Sequence, residues 1–450
     1  MTTVLHLTPH LGGGVGKAVS TLVRQTRAAG TAVRHVVACI ETPEKERFVA
    51  SIREAGAEVV ITPTPERLTE LLTAADVVQL EWWNHPATIA CLCGLPAIPM
   101  RLLVWCHVSG LYNPIIPAGL IEAADRFVFT SPCSFESPRI SALAARLPGR
   151  LAAISSGGGF EAFPDPGCDA DDALAVGYVG SLNFAKLHPR FVDFLAAVRR
   201  PAFRVRVVGD LLNREMLERQ CAAAGIAGAL DFRGYTSDVA AELRSVNVLA
   251  YLLNPRHYGT AENALIEAMA MGIVPVVLDN PAERHIVEHG VTGLIVRSPA
   301  EFAGAIDRLA REPAERRRMG MAAAASVRRR FSAERMEEAF AEQYGALLAT
   351  PKHGLAFQTI FGTTADAWFL SCQEHPEYFR RGGTLRLPDA DAPPYDLLES
   401  TKGSAIHFHS HFPENENLAG WAAGLKDVQD VLAAPLSLRA PAAAASCRSI

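Results

Sequence analysis

The chain has 450 residues, 49% of them hydrophobic and 20% charged, with a formal net charge of −5. That length exceeds one ordinary core and predicts two or three domains, while the negative balance argues against a nucleic-acid binder held by phosphate contacts. No apolar run approaches the ~20 residues of a membrane helix, and the first residues do not read as a secretory signal. Nine cysteines, without metal-type C-x-x-C spacing, fit reduced thiols in a cytoplasm; Cys39 and Cys106 lie in apolar strand-like runs and read as core packing.

The first 165 residues alternate strand and helix signals. "TVLHLTP" is followed by "HLGGGVGKAVSTLV" and an apolar-periodic helix from about Val15 to Ala29. "VRHVVACI", a helix near Lys45 to Ala55, "AEVVITP", "ADVVQLEWW", "RLLVWCHVSG" and "DRFVFTS" continue the pattern. Short β-branched runs separated by helices predict βαβ units and a parallel sheet. The stretch "ISSGGGFEAFPDPG", 154 to 167, breaks the pattern and reads as a linker.

A second alternating block opens with "LAVGYVGSL" and "PRFVDFLAAVRR" and includes a helix from about Arg214 to Ala224. It ends in the basic helical run "ERRRMGMAAAASVRRRFSAERMEEAFAEQYGALL". Two consecutive doubly wound α/β domains facing a cleft are therefore predicted, with residues 1–165 and 166–348 as the two domains. Ligands in such sheets lie beyond the carboxyl ends of the strands. From about Thr350 the texture turns proline- and glycine-punctuated; residues 349–450 read as a C-terminal extension whose last stretch, "AAPLSLRAPAAAASCRSI", looks disordered.

The glycine run does not match a nucleotide P-loop. Aligning G-x-x-x-x-G-K-[ST] on Gly16 and Lys17 puts Leu11 where the first glycine belongs and Ala18 where the magnesium-binding hydroxyl belongs. What remains is a glycine loop that lets backbone approach an anion, ahead of a helix with unpaired amides. In "HYGTAENALIEAMAMGIVPVVLD", 257 to 279, Gly259 and Thr260 suggest a turn and N-cap opening a helix at about Ala261. Leu265, Ile266, Met269 and Ala270 then face the core, and Asn263 and Glu267, four apart, share one stripe. A lone carboxylate among apolar neighbours suits two adjacent hydroxyls, as on a ribose.

"ENALIEAMAMGIVPVV" resembles the signature helix of the retaining GT-B glycosyltransferases of the large family 4. "AVGYVGSLNFAKLHPRFVDFLAAV", "LDFRGYTSDVAAELRSVNVLAYL" and "ERHIVEHGVTGLIV" resemble that family's neighbouring units. "GGGVGKAVSTL" and "VWCHVSG" are similar to its glycine loop and histidine-bearing strand end, so that the resemblance spans residues 1 to 348. It implies a GT-B fold and transfer of a sugar from a UDP- or GDP-linked donor to a saccharide or lipid-linked acceptor, with retention and with neither a metal nor a cofactor. It places Glu267 on the ribose, Lys186 on the diphosphate with Gly13 and Gly14 approaching it, and His107 near the transferred sugar.

Two positions depart from the pattern. The family's G-R-L reads Gly180, Ser181, Leu182, and its first glutamate, eight before Glu267, is Gly259. Arg256 and Glu262 are near substitutes; Arg190 follows Pro189, which is read as opening the next helix, and is a further cation. Thr260 and Asn263 complete the expected donor site. The departures favour one alternative, a non-catalytic GT-B scaffold that binds a partner; a sugar-nucleotide epimerase, using the same cleft with water as acceptor, is the other. Lys17 reads either as a phosphate ligand or as a solvated helix residue, and the tryptophans of "EWWNH" either stack on an acceptor sugar or pack in the core. The arginine triplets at 316–318 and 328–330 suggest peripheral membrane contact or a solvated face. "HFHSHF" would align His407, His409 and His411 if it is a strand, a spacing that could bind zinc, although no partner ligand is evident and no metal is expected.

Overall fold

The computed structural model describes residues 1–160, 163–166, 173–387, 395–398 and 403–433. The first sheet contains β1 (Thr2–Thr8), β2 (Val33–Cys39), β3 (Glu58–Ile61), β4 (Val77–Trp82), β5 (Leu102–Cys106), β6 (Arg126–Phe129) and β7 (Leu151–Ala153). The second contains β8 (Val176–Val179), β9 (Val205–Val208), β10 (Leu230–Gly234), β11 (Val248–Tyr251), β12 (Val274–Leu278) and β13 (Leu294–Val296). Their orders are β3-β2-β1-β4-β5-β6-β7 and β10-β9-β8-β11-β12-β13, and every pairing is parallel. The continuous Val/Leu runs explain this, because parallel strands carry helices on both faces and leave no polar face. All six residues of β4 and all five of β5 are buried.

Strand order reverses between β1 and β4 in one sheet and between β8 and β11 in the other. Each reversal opens a crevice beyond the carboxyl ends of the strands. The loops from these two crevices meet across one cleft.

The helix Ala333–Leu348 returns to the first sheet. Met336, Phe340, Tyr344 and Leu347 share a core with Val4, Leu22, Val77, Leu103 and Trp105, which their 3-to-4-residue spacing on one helical face allows. The segment after it also packs on the first domain. Phe357, Phe361, Phe369, Phe379, Phe408 and Trp421 join that domain's main core, and Trp82 stacks on Phe361 at 5.5 Å. The predicted disordered tail lies outside the described residues beyond Ala433.

Several expectations are corrected here. "HFHSHF" is not a strand: it belongs to the helix Ala405–His411, opened by Ser404, whose hydroxyl accepts from the His407 amide. His407 and His411 therefore share a face and His409 does not. The arginine triplets do not form uniform basic faces. Arg316 is buried on the carbonyl of Leu309, Arg328 holds the carbonyls of Ala270 and Pro164, and Arg330 those of Ile286 and His285. Among the described residues, no helix is long and apolar enough to cross a membrane. Cys39 and Cys106 are fully buried, and burial pushes both thiols up to about 12, as packing residues require.

Candidate active site in the interdomain cleft

On the first domain, His107 follows the end of β5 and donates from Nε2 to Glu81 Oε2 at 2.8 Å. Glu81 is fully buried in β4, and its other oxygen accepts from His6 Nδ1 at 2.9 Å and Gln79 Nε2 at 2.8 Å. The chain continues through His6 Nε2 to His35 Nδ1 at 2.8 Å and from His35 Nε2 to Thr26 Oγ1 at 3.0 Å. One tautomer set satisfies every link: Thr26 donates to His35, His35 to His6, and His6 to the carboxylate. Burial and the neighbouring His6 push His35 well below its ordinary range, which keeps it neutral. Burial opposes the charge on Glu81, but His107 and His6 outweigh it and hold the carboxyl below its usual range. Glu81 thus fixes the orientation of His107 with a permanent negative charge.

On the second domain, the loop after β8 carries Gly180, Ser181 and Lys186. Gly180 has φ +155, and a Cβ at Gly209 would stand 1.9 Å from the Gly180 carbonyl oxygen, so the two strand ends meet at near backbone contact. The Ser181 hydroxyl accepts from the Asn183 side chain at 2.7 Å and shapes the loop. Lys186 projects to Glu262, with Nζ 3.4 Å from Oε2. Tyr251 donates to the same oxygen at 2.5 Å, and His257 Nδ1 lies 3.7 Å from Oε1. Behind them His257 Nε2 faces Glu283 at 3.3 Å, and Asn280 donates to Glu283 at 2.9 Å. Burial opposes ionisation throughout, but the opposite charges win. Lys186 and His257 are raised and Glu262 is lowered.

Thr260 is not the N-cap. The helix runs Asn263–Ala270, and its N-cap is Glu262 in the left-handed region at φ +43. The Thr260 oxygen instead accepts from Thr130 across the cleft at 3.2 Å. A non-glycine residue with positive φ is strained, and here the strain aims the Glu262 carboxylate at Lys186, Tyr251 and His257. Gly259 makes this possible: a Cβ there would stand 2.1 Å from Glu262 Oε1. The Glu262 carboxylate therefore occupies the space into which a side chain at position 259 would grow.

The two domains touch at several points. The Gly13–Ala29 helix starts with Gly13 at φ +49, and a Cβ on Gly14 would stand 3.1 Å from Asn263 Nδ2. From the same helix Lys17 Nζ reaches Glu267 Oε1 at 2.5 Å, with the side chains 23% and 14% exposed. Lys17 is therefore neither solvated nor free. A cavity of about 260 Å³ lies between the domains, lined by Gly14, Trp83, His107, Lys186, Glu262 and Asn263 among others. Two buried oxygens on these lining residues, Glu262 Oε1 and Asn263 Oδ1, have no hydrogen-bond partner among the described residues. Buried acceptors are rarely left so.

Not every predicted residue reaches this cavity. Arg190 is exposed at the N-cap of the Phe191–Ala197 helix and pairs with Asp193 at 2.6 Å. Arg256 donates to Glu374 at 2.7 Å and lies over the Tyr112 ring, tying the second domain to the extension. Neither residue lines the cavity. The tryptophans divide, with Trp82 in the core and Trp83 on the cavity wall. Sequence reading missed Glu81, His257 and Glu283. A signal existed for the first: Gln79 and Glu81 are two apart, hence on one face, inside the apolar run "VVQLEW".

Residues 173–312 match the family model of glycosyl transferases group 1. The human alpha-1,3/1,6-mannosyltransferase ALG2 is 31% identical over 102 residues, which are 22% of this chain and 23% of that relative. Only a quarter of that relative's length is thus matched. Among solved structures, Anabaena Alr3699/HepE in complex with UDP-glucose is similar with TM-score 0.61 and 16% identity, over 77% of this chain and 100% of that one. A glycosyltransferase from Rickettsia africae is similar with TM-score 0.60 and 14% identity, over 78% and 99%. These likenesses show the fold, which is GT-B.

Proposed function

We propose that the chain is a retaining glycosyltransferase that moves a sugar from a nucleoside-diphosphate donor to a saccharide or lipid-linked acceptor. The observation that carries this reading is the chemistry of the cavity wall: an ammonium, Lys186, beside two buried acceptor oxygens, Glu262 Oε1 and Asn263 Oδ1. A diphosphate attached to a polyhydroxylated ring satisfies all three. The family match over residues 173–312 covers the segment that carries them.

In this reading Lys186, with the amides at the start of the Asn263–Ala270 helix and the Gly13–Gly14 loop, meets the charge that develops on the departing diphosphate. Preorganised donors of this kind supply much of such catalysis. Glu262, displaced three residues from the expected position, takes the sugar hydroxyls. Glu267 takes the ribose once Lys17 has been turned aside toward the phosphates. His107, oriented by Glu81, stands beside the transferred sugar. Uridine is the first donor base to try, because HepE was solved with UDP and UDP-glucose, and GDP the second. No metal takes part at the diphosphate. The chain works in the cytoplasm, in bacterial polysaccharide or glycoconjugate synthesis, with its acceptor reached as a peripheral visitor to the membrane face.

A non-catalytic scaffold is the competing reading, because Glu267 and Lys186 are both engaged by partners within the chain. Anomeric proton spectra of UDP- and GDP-sugars incubated with the protein, without added metal and with simple sugars as acceptors, separate the two. One donor consumed with its anomeric configuration kept, and no consumption by Glu267→Ala, supports the transferase. Consumption of neither donor series, even to the slow hydrolysis that such sites permit, leaves the scaffold.

A further inference from the structure

The face of the first domain against the extension carries a second cluster, separate from the cleft ligands. His85 is the N-cap of the Pro86–Gly94 helix, just after β4. His407 and His411 stand one turn apart on the Ala405–His411 helix. One nitrogen from each of the three rings lies within 4.8 Å of the others. Their centroids are 4.8, 5.1 and 4.8 Å apart, with interplanar angles of 85°, 89° and 82°. Zinc–nitrogen bonds of ~2.0–2.1 Å in a tetrahedral set place three imidazole centroids roughly 5 Å apart, edge to edge. Edge-to-face contact at this separation is also common for packed rings; what marks these three is that all are imidazoles with their nitrogens gathered together.

A carboxylate approaches two of the three rings. Glu41, in the loop after β2, puts Oε1 3.0 Å from His411 Nε2 and Oε2 3.7 Å from His85 Nε2. The His411 Nδ1 lies 3.0 Å from the His407 carbonyl and donates to it. Nε2 of the same ring faces the Glu41 carboxylate, a contact that either a shared proton or a cation bound by both groups satisfies. A ligating histidine that donates its other N–H to a backbone carbonyl is the usual outer support of a zinc site. His85 and His407 now accept at Nδ1 from the amides of Ala87 and Gly403. Ligation through Nε2 places their protons on Nδ1, so both amide bonds are given up and the two rings must turn away from those amides.

We propose that Glu41, His85, His407 and His411 bind one zinc ion in a closed, structural site. Three imidazoles and one carboxylate suit zinc among the divalent ions. The ion would join two loops of the first domain to the extension, where Gly403 already meets Asn84 so closely that a Cβ would stand 2.5 Å from Asn84 Nδ2. His85 is 6.0 Å by ring centroid from Trp83, which lines the cleft. Zinc would thereby firm the wall of the cleft without touching the donor.

The test uses the full chain, stripped with a chelator and titrated with zinc alone, then with cobalt(II) as a spectroscopic stand-in. Expected are one equivalent bound per chain, a raised Tm, and the visible bands of four-coordinate cobalt. His85→Ala and His411→Ala should each weaken binding by more than the roughly 10–100-fold lost with a mere outer-shell partner. His409→Ala, off the cluster, should bind as the parent does. No saturable zinc binding by the parent chain overturns the proposal, whatever the variants do. Binding left intact in folded His85→Ala and His411→Ala overturns it equally.

Discussion

Glu262 does two jobs at the residue scale, and both are testable. It satisfies Lys186, Tyr251 and His257, and in the proposed reading its remaining oxygen, which has no hydrogen-bond partner among the described residues, takes a sugar hydroxyl. Breaking a buried ion pair by removing one partner costs about 3–5 kcal/mol, because the other charge is left unpaired. Glu262→Gln is therefore expected to lower stability by that order in denaturant melts, and to abolish sugar transfer. Gly259→Ala is the subtler probe. Its methyl group would stand 2.1 Å from Glu262 Oε1, so it should displace the carboxylate and reduce turnover with little loss of UDP affinity, as read by kcat and by calorimetry. Glu267 and Gly14 stand out in the chain through helical spacing and a glycine run, whereas Lys186 stands out only through the family resemblance. The role of Glu262 was legible only as a substitute, since its left-handed backbone and the space above Gly259 are tertiary facts.

The helix Ala333–Leu348 and the extension matter most at the scale of elements. Phe340 is fully buried against Trp105, with ring centroids 4.7 Å apart. Phe340→Ala should cost about 3–5 kcal/mol, read as a lower denaturation midpoint with an unchanged slope. Truncation after Thr350 should do more, because it strips Phe361, Phe369, Phe408 and Trp421 from the first domain's core; an insoluble or molten product is expected by near-ultraviolet circular dichroism. The strands were legible as continuous apolar runs, and their parallel pairing followed from the helices between them. Where the extension packs was not legible, since its aromatics are irregularly spaced: Phe369 gathers Phe379, Phe408 and Trp421 within the extension, while Phe361 meets Trp82 far earlier in the chain. The histidine run misled for a related reason. Alternation in "HFHSHF" imitates a strand, and only the Ser404 cap and the pocket around Phe408 select the helix.

For the whole molecule, buried and half-buried histidines make stability depend on pH. Burial, with Arg190 beside it, pushes His188 down to about 4; burial and His6 push His35 down as well. Both stay neutral in the folded chain and take up a proton in the unfolded one below about 6.5. Stability is thus unaffected by them above pH 6.5 and is lost as pH falls from there toward 4, by on the order of 3 kcal/mol for His188. His257, raised by Glu283 and Glu262 against burial, has the opposite sign: its contribution is full below pH 6.5 and disappears as pH rises through its folded value. His188→Gln should flatten the acid side of a Tm–pH curve and leave the neutral side unchanged. The central claim, however, concerns the cleft, where both domains contribute to one donor site. Calorimetric titration of the full chain with UDP, without added metal, against the Lys186→Ala variant tests it most directly. One UDP bound per chain, weakened tenfold or more in the variant, is the expected result; equal binding by both proteins, or none by either UDP or GDP, would contradict it.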